Sequence, residues 1–216
     1  MDCEVVLVSD KVKASELFVQ RTGKPYLYNI MPIDNVPSVI KHGILCYNKV
    51  DGSVHRSVAL DGVQERREQA VVTNTGKSLH DYANLYFDCR NPMMYRRKDM
   101  AKELCILGVS PAVLDVDGCI VTDRNAASSI VRFFEPVHGI RRIDFEKVYA
   151  KVWNYPGEES KTRDHRAVKC AEVLVPGRIP FDYVLCACVF DRGCSERLLR
   201  MGFEKKIFVS RNPFFG

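Results

Sequence analysis

Seven short runs rich in Val, Ile, Leu, Tyr and Phe, bounded by Gly, Pro or Asp, punctuate this chain. They are Tyr26–Ile33, Asn84–Phe87, Glu103–Val109, Cys119–Thr122, Ala171–Val175, Tyr183–Phe190 and Lys205–Val209. β-Branched and aromatic side chains at that density predict strands. Helical signals between them are short and irregularly placed. "DNVPSVIKHG" offers Asp34 or Asn35 as a cap, Val36, Val39 and Ile40 on one face, and Gly43 as terminator. "RNAASSIVRFF" sets Ala126, Ile130, Phe133 and Phe134 at helical spacing, and "CSERLLRMG" predicts a helix from Ser195 to Gly202. Strands interrupted by such helices predict a mixed α+β fold, not a doubly wound sheet. Neither GxGxxG nor GxxxxGK followed by Ser or Thr occurs. The common dinucleotide and P-loop cradles are therefore excluded.

No repeat, low-complexity tract or Pro/Gly-rich linker divides the 216 residues, so a single domain is expected over 1–216, with 1–24 as a peripheral N-terminal extension. At 46% hydrophobic and 27% charged, the chain can bury a substantial core. Its apolar stretches are too short to span a bilayer. The start, "MDCEVVLVSDKVK", lacks the basic flank and cleavage site of a signal peptide, which points to a cytoplasmic protein. Nine cysteines occur without a CxxC pair. That spacing argues against a zinc site or a disulfide scaffold and for buried, reduced thiols. The net charge of +5 permits nucleic-acid binding without demanding it. Its basic residues gather at 66–67, 96–98, 141–142 and 161–169.

Four segments combine polar chemistry with turn signals. In "YLYNIMPIDNVPSVIKHGIL", Asn29 presents an amide that both donates and accepts, although plain supersecondary structure explains the segment equally well. In "DGVQERREQA", an inward-facing arginine of the Arg66-Arg67 pair offers a planar fork for phosphate or carboxylate; two exposed arginines are the simpler reading. "GKSLHDYANLYFDCRNPMMYRR" packs His80, Tyr82, Tyr86, Phe87, Arg90, Met93, Met94 and Tyr95 into sixteen positions. That composition suits a stacking platform for a base or nicotinamide, and suits a core with a polar rim as well. In "IVTDRNAASSIVRFFEP", Asp123 or Asn125 caps the expected helix, whose small first residues leave room for a phosphate. Finally, Glu172 opens the apolar run Val173-Leu174-Val175 behind Arg163, His165, Arg166 and Lys169. A half-buried strand end is the ordinary explanation; a carboxylate fixed at a strand end beside a basic loop is the chemical one.

The ordered blocks "IDNVPSVIKHGIL", "QERR", "LHDYANLYFDCRNPMMY", "TDRNAAS" and "CAEVLVPGRIP" resemble the DarT toxins, DNA ADP-ribosyltransferases of bacterial toxin–antitoxin systems. The resemblance runs from about Tyr28 to the terminal "NPFF". It implies the ADP-ribosyltransferase fold: a split, twisted β core that holds NAD+ in a central cleft without a Rossmann motif. Glu172 matches the family's catalytic glutamate and Arg67 its catalytic arginine. Asn29, Met31, Tyr82, Tyr86, Phe87, Met93 and Met94 are expected beside NAD+. Arg166, Arg163, Lys169, Arg90 and Asn125 are expected on the DNA. Two departures stand out: many relatives have histidine at Asn29, and relatives usually have serine at Asn91.

The resemblance implies NAD+ as substrate, no metal, single-stranded DNA as acceptor, and a macrodomain antitoxin that removes ADP-ribose. "TDRNAASS" favours thymidine over guanosine as the modified base. Loss of nicotinamide passes through an oxocarbenium-like transition state, which a carboxylate stabilises. A base nitrogen is reachable only outside a duplex. Other readings of the same residues are a transferase acting on RNA, a non-catalytic nucleic-acid-binding module, and a metal nuclease using Asp123 and Glu172. A 2′-hydroxyl contact separates the first, the presence of Arg67 and Glu172 argues against the second, and activity in EDTA separates the third.

Overall fold

The computed structural model describes residues 12–50, 67–68, 70–73 and 75–216. Each of the seven expected strands forms, within a residue or two of the expected ends: β1 (Leu27–Pro32), β3 (Tyr82–Tyr86), β4 (Leu104–Val109), β5 (Ile120–Thr122), β7 (Glu172–Pro176), β9 (Val184–Val189) and β10 (Lys206–Val209). Three two-residue strands were not expected: β2 (Ile44–Leu45), β6 (Phe133–Phe134) and β8 (Arg178–Ile179). Eight strands make one sheet in the order β10-β9-β4-β1-β3-β7-β5-β6, while β2 and β8 pair separately. Every contact within the large sheet is antiparallel except β10–β9.

The sheet is split in the middle. β1 pairs with β4 along its whole length, from Leu27↔Val109 to Pro32↔Leu104. It meets β3 at one pair alone, Tyr28↔Tyr86. Beyond that pair the two halves diverge, and the Asn29 side-chain Nδ2 donates across the gap to the Asn84 carbonyl at 3.0 Å.

The main core covers one face of the sheet, with Leu27, Met31, Leu85, Phe87, Leu107, Val121, Val173 and Ala187 all buried in it. The other face carries two smaller clusters, one around Leu174 and Tyr82, the other around Ile30, Met94, Ile106 and Phe214. Burial on both faces explains why these strands read as continuous apolar runs.

The helix α1 (Ala14–Thr22) buries Ala14 and Phe18 in the main core. The expected peripheral extension therefore contributes packing: the Phe18 ring lies 5.7 Å from that of Phe87. α2 (Val36–His42) ends at Gly43 as expected. Gly43 has φ +79°, and a Cβ there would meet the Ile179 carbonyl oxygen at 2.2 Å, so no other residue fits. Neither expected cap closes α2 with its side chain, because a 3-10 turn at Ile33–Asn35 leads into it. The C-terminal helix begins earlier than expected, at Arg192, because the Asp191 carboxylate caps the Cys194 N–H.

Two expectations fail. The "RNAASSIVRFF" segment is not helical but a loop returning into β6. Asp123 accepts from the Arg132 backbone N–H and Nε at 3.0 and 2.9 Å, which closes that loop as a hairpin. The basic 161–169 loop is a helix, Glu159–Lys169.

Candidate active site

Glu172 is the first residue of β7, directly opposite Tyr86 on β3. It shares its rung with the single β1–β3 pair, Tyr28↔Tyr86, at the point where the sheet splits. Its side chain is fully buried, which a carboxylate tolerates only when paired. One nitrogen supplies the pair: Arg67 Nη1 lies 3.1 Å from Oε1 and 3.0 Å from Oε2. The Ala126 N–H donates to Oε1 at 2.9 Å. The Glu172 N–H donates to Thr122 Oγ1 at 2.9 Å, and that hydroxyl donates to the Arg124 carbonyl at 2.7 Å. The "TDRNAAS" block thus fixes the carboxylate. It is not the helix N-terminus that its capping residues suggested, and Asn125 spends its Oδ1 on the Ala127 N–H within the loop.

Burial, the largest influence, disfavours the Arg67 charge, but Glu172 and Tyr86 together outweigh it and raise the guanidinium's affinity for its proton above the ordinary value. Burial, reinforced by Glu172, raises the Tyr86 phenol well above its usual range, so it remains a neutral hydrogen-bonding group. A buried ion pair gains little stability over an apolar substitute, so its retention at a sheet split suits chemistry.

The remaining sequence candidates divide by environment. Asn29 lies at the split, with its Oδ1 buried and lacking a hydrogen-bond partner among the described residues. Met93, Met94 and Tyr86 pack in the cluster on one face of β1 and β4. Tyr82 is buried, and its phenol oxygen is 2.8 Å from Thr75 Oγ1. Met31 and Phe87 belong to the main core, with Phe87 between the rings of Phe18 and Phe145, so neither is presented to the split. Asn91 caps the Pro92–Arg96 helix by accepting from the Met94 N–H at 3.0 Å.

Arg163 and Arg166 are exposed on their helix, and Arg166 Nη2 donates to Asn154 Oδ1 at 2.9 Å. Lys169 differs from both. It is 1% exposed and donates to Asp88 Oδ2 and to the Val148 and Ala150 carbonyls, at 2.5, 2.8 and 3.0 Å. Its three protons are spent internally, so it is a structural cation and not a surface grip. Arg90 Nε donates to the Asn212 carbonyl, and its guanidinium lies 4.1 Å over the Phe215 ring. Arg66 lies outside the described residues.

Sequence reasoning missed Thr122 and Ala126, and also a stacked pair: the rings of Tyr47 and His80 lie 4.2 Å apart at 30°. Burial, then Arg67, lowers the His80 imidazole below its ordinary value. No spacing rule could have joined Tyr47 to His80, because the link is tertiary. Among the described residues, no three of His, Cys, Asp and Glu gather as a metal-ligating group, and no helix is long and apolar enough to cross a membrane.

A family model described as ssDNA thymidine ADP-ribosyltransferase, DarT, matches residues 28–215. A DNA ADP-ribosyl transferase of Thermus sp. (strain 2.9) is 30% identical over 185 residues, covering 81% of this chain and 86% of that protein. A DNA ADP-ribosyl transferase–DNA ADP-ribosyl glycohydrolase fusion protein of Thermosipho africanus (strain H17ap60334) is 30% identical over 197 residues, 88% of this chain. The chain spans 48% of that fusion's length. Among solved structures, Thermus sp. 2.9 DarT in complex with ADP-ribosylated ssDNA superimposes with a TM-score of 0.77 at 25% identity. That match covers 88% of this chain and 99% of the other.

Proposed function

The chain belongs to the DarT family, and from that membership we propose that it transfers ADP-ribose from NAD+ to a base of single-stranded DNA, thymidine in preference to guanosine. The observation that carries this reading is the buried Arg67–Glu172 pair at the split of the sheet. In the reaction, the bond between nicotinamide and the ribose C1′ breaks, and its electrons leave with nicotinamide. A base nitrogen then forms the new bond to C1′ and loses its proton. Positive charge develops on the ribose, and Glu172 is a fixed negative group able to stabilise it. The Ala126 N–H holds that carboxylate and Thr122 holds the Glu172 backbone N–H, so that little reorganisation is needed. Arg67 neutralises Glu172 at rest and, in this reading, orients the base or the dinucleotide phosphates.

NAD+ as the donor substrate fits the split. The unpartnered Asn29 Oδ1 is an acceptor suited to a ribose hydroxyl, the role expected of the histidine in relatives. Tyr86, Met93 and Met94 supply an apolar floor next to Glu172. The exposed Arg163 and Arg166 suit the phosphates of a single strand. Arg67, Asn29, Tyr86 and Glu172 are thus the residues we assign to the reaction.

A transferase that marks template bases blocks replication. We assign this chain the role of a cytoplasmic toxin, restrained by a macrodomain protein that removes ADP-ribose from DNA. The glycohydrolase half of the Thermosipho fusion protein supports such a pairing. Expression of the chain alone should stop growth. Glu172→Ala should not, and co-expression of a DNA ADP-ribosyl glycohydrolase should restore growth. Equal toxicity of the two chains would contradict an enzymatic toxin.

A further inference from the structure

A cavity of about 210 Å³ opens at the end of the sheet where β1 begins, β3 ends and β7 begins. Its lining includes Lys24, Asp88, Arg90, Tyr149, Lys151 and Lys169. Lys169 and Asp88 neutralise one another. That leaves Lys24, Arg90 and Lys151, none of which is ion-paired with a carboxylate of the described residues. Two of these cations are held in place rather than free to wander. Arg90 is stacked on Phe215 and tied to the Asn212 carbonyl, and Lys24 Nζ lies 5.0 Å from the centre of the Tyr149 ring. Three like charges around one concavity repel one another, a cost that an anion relieves.

The cavity connects with the rest of the basic surface. The Ala150 carbonyl anchors Lys169, and Asn154, four residues on, accepts from Arg166. Lys151 and Arg166 therefore flank one short segment. Asp88 lies two residues past Tyr86, just beyond the end of β3 and the Tyr86–Glu172 rung.

We propose that this cavity is a phosphate subsite for the nucleic-acid strand: Lys24, Arg90 and Lys151 hold one phosphodiester flanking the modified base, continuing the line begun by Arg166. This rests on the DNA-modifying reading given above. The subsite positions the strand without reading its sequence, because phosphate contacts carry no base information.

The test uses the full chain carrying Glu172→Gln, to prevent turnover, with and without Lys24→Gln and Lys151→Gln. Both lysines are at least partly exposed, so folding should survive, and an Lys151→Glu chain gives a stronger perturbation. The measurements are the affinity for a short single-stranded oligonucleotide across a salt series, and the affinity for NAD+. The expected result is an oligonucleotide affinity lowered about tenfold, a log–log salt slope reduced by about 0.7, and NAD+ binding unaltered. An unchanged slope, with DNA still modified by the Glu172 chain, would overturn the subsite and leave the proposed function standing. Loss of NAD+ affinity instead would give the cavity to the dinucleotide. Competition by inorganic phosphate with no effect of the lysines on oligonucleotide binding would give it to a free anion. Either result would overturn the proposal. Absence of any DNA adduct from the parent chain would overturn the functional reading, and this subsite with it.

Discussion

Replacing Lys169 by Met should unfold this protein far more readily while leaving its surface charge almost untouched. The ammonium is buried, bonded to Asp88 and to the Val148 and Ala150 carbonyls, and lies 5.1 Å from the centre of the Trp153 ring. Met fills similar volume but leaves one carboxylate and two carbonyls without their donor. Breaking a buried pair on one side costs about 3–5 kcal/mol. For a chain of this size each kcal/mol shifts Tm by roughly 2–4 °C, so the expected fall is about 6–20 °C. Thermal unfolding followed by circular dichroism reads it directly. Adding Asp88→Asn to Lys169→Met should restore part of the loss, because the orphaned charge disappears while Asn still accepts from the Arg90 N–H that Asp88 now caps. A Lys169→Met protein that melts with the wild type but binds single-stranded DNA more weakly would refute the reasoning, and would return Lys169 to the DNA surface where its sequence context had placed it.

Two further outcomes follow from titrations. Burial pushes the Cys105, Cys119 and Cys170 thiols up to about 12, so at pH 8 iodoacetamide should label them only after denaturation; rapid labelling of any of these three in the native protein would contradict their burial. The lowered His80 imidazole protonates in the unfolded chain, near pH ~6.5, before it does in the folded one. Its contribution to stability is therefore complete above that pH and declines below it. Urea unfolding between pH 8 and 5 should show a steeper loss for wild type than for His80→Phe, and parallel curves would contradict the coupling.

The central strands were legible because a sheet buried on both faces must spell them as apolar β-branched runs, whatever the order of pairing, whereas β10 is mostly exposed and showed only by its Ile-Phe-Val run. The two-residue strands carry no period to detect. Phe133 and Phe134 looked helical by spacing from Ala126 and Ile130. Yet Ile130 is 64% exposed, and Asp123 closes the loop that a helix would have required open. The Glu159–Lys169 helix was hidden because its inward face is Thr162, His165, Val168 and Lys169. Such a face gains its apolar character only from internal hydrogen bonds. Glu172 was legible as a misfit, a carboxylate opening a core strand, and the family blocks supplied the role proposed for it. Its support from Ala126 and Thr122 was not legible, because those contacts bridge nearly fifty residues of sequence.

Mass spectrometry of a single-stranded oligonucleotide after incubation with NAD+ tests the account at its centre. The wild-type chain should add one ADP-ribose to a base, on thymidine when the oligonucleotide offers both thymine and guanine, with release of nicotinamide. Glu172→Gln keeps the shape of the site and removes the charge, and should retain NAD+ binding while forming no adduct. An adduct on guanine alone would correct only the choice of base. Wild-type-like transfer by Glu172→Gln would contradict the claim that the carboxylate held by Arg67 and the Ala126 N–H is the centre of the reaction.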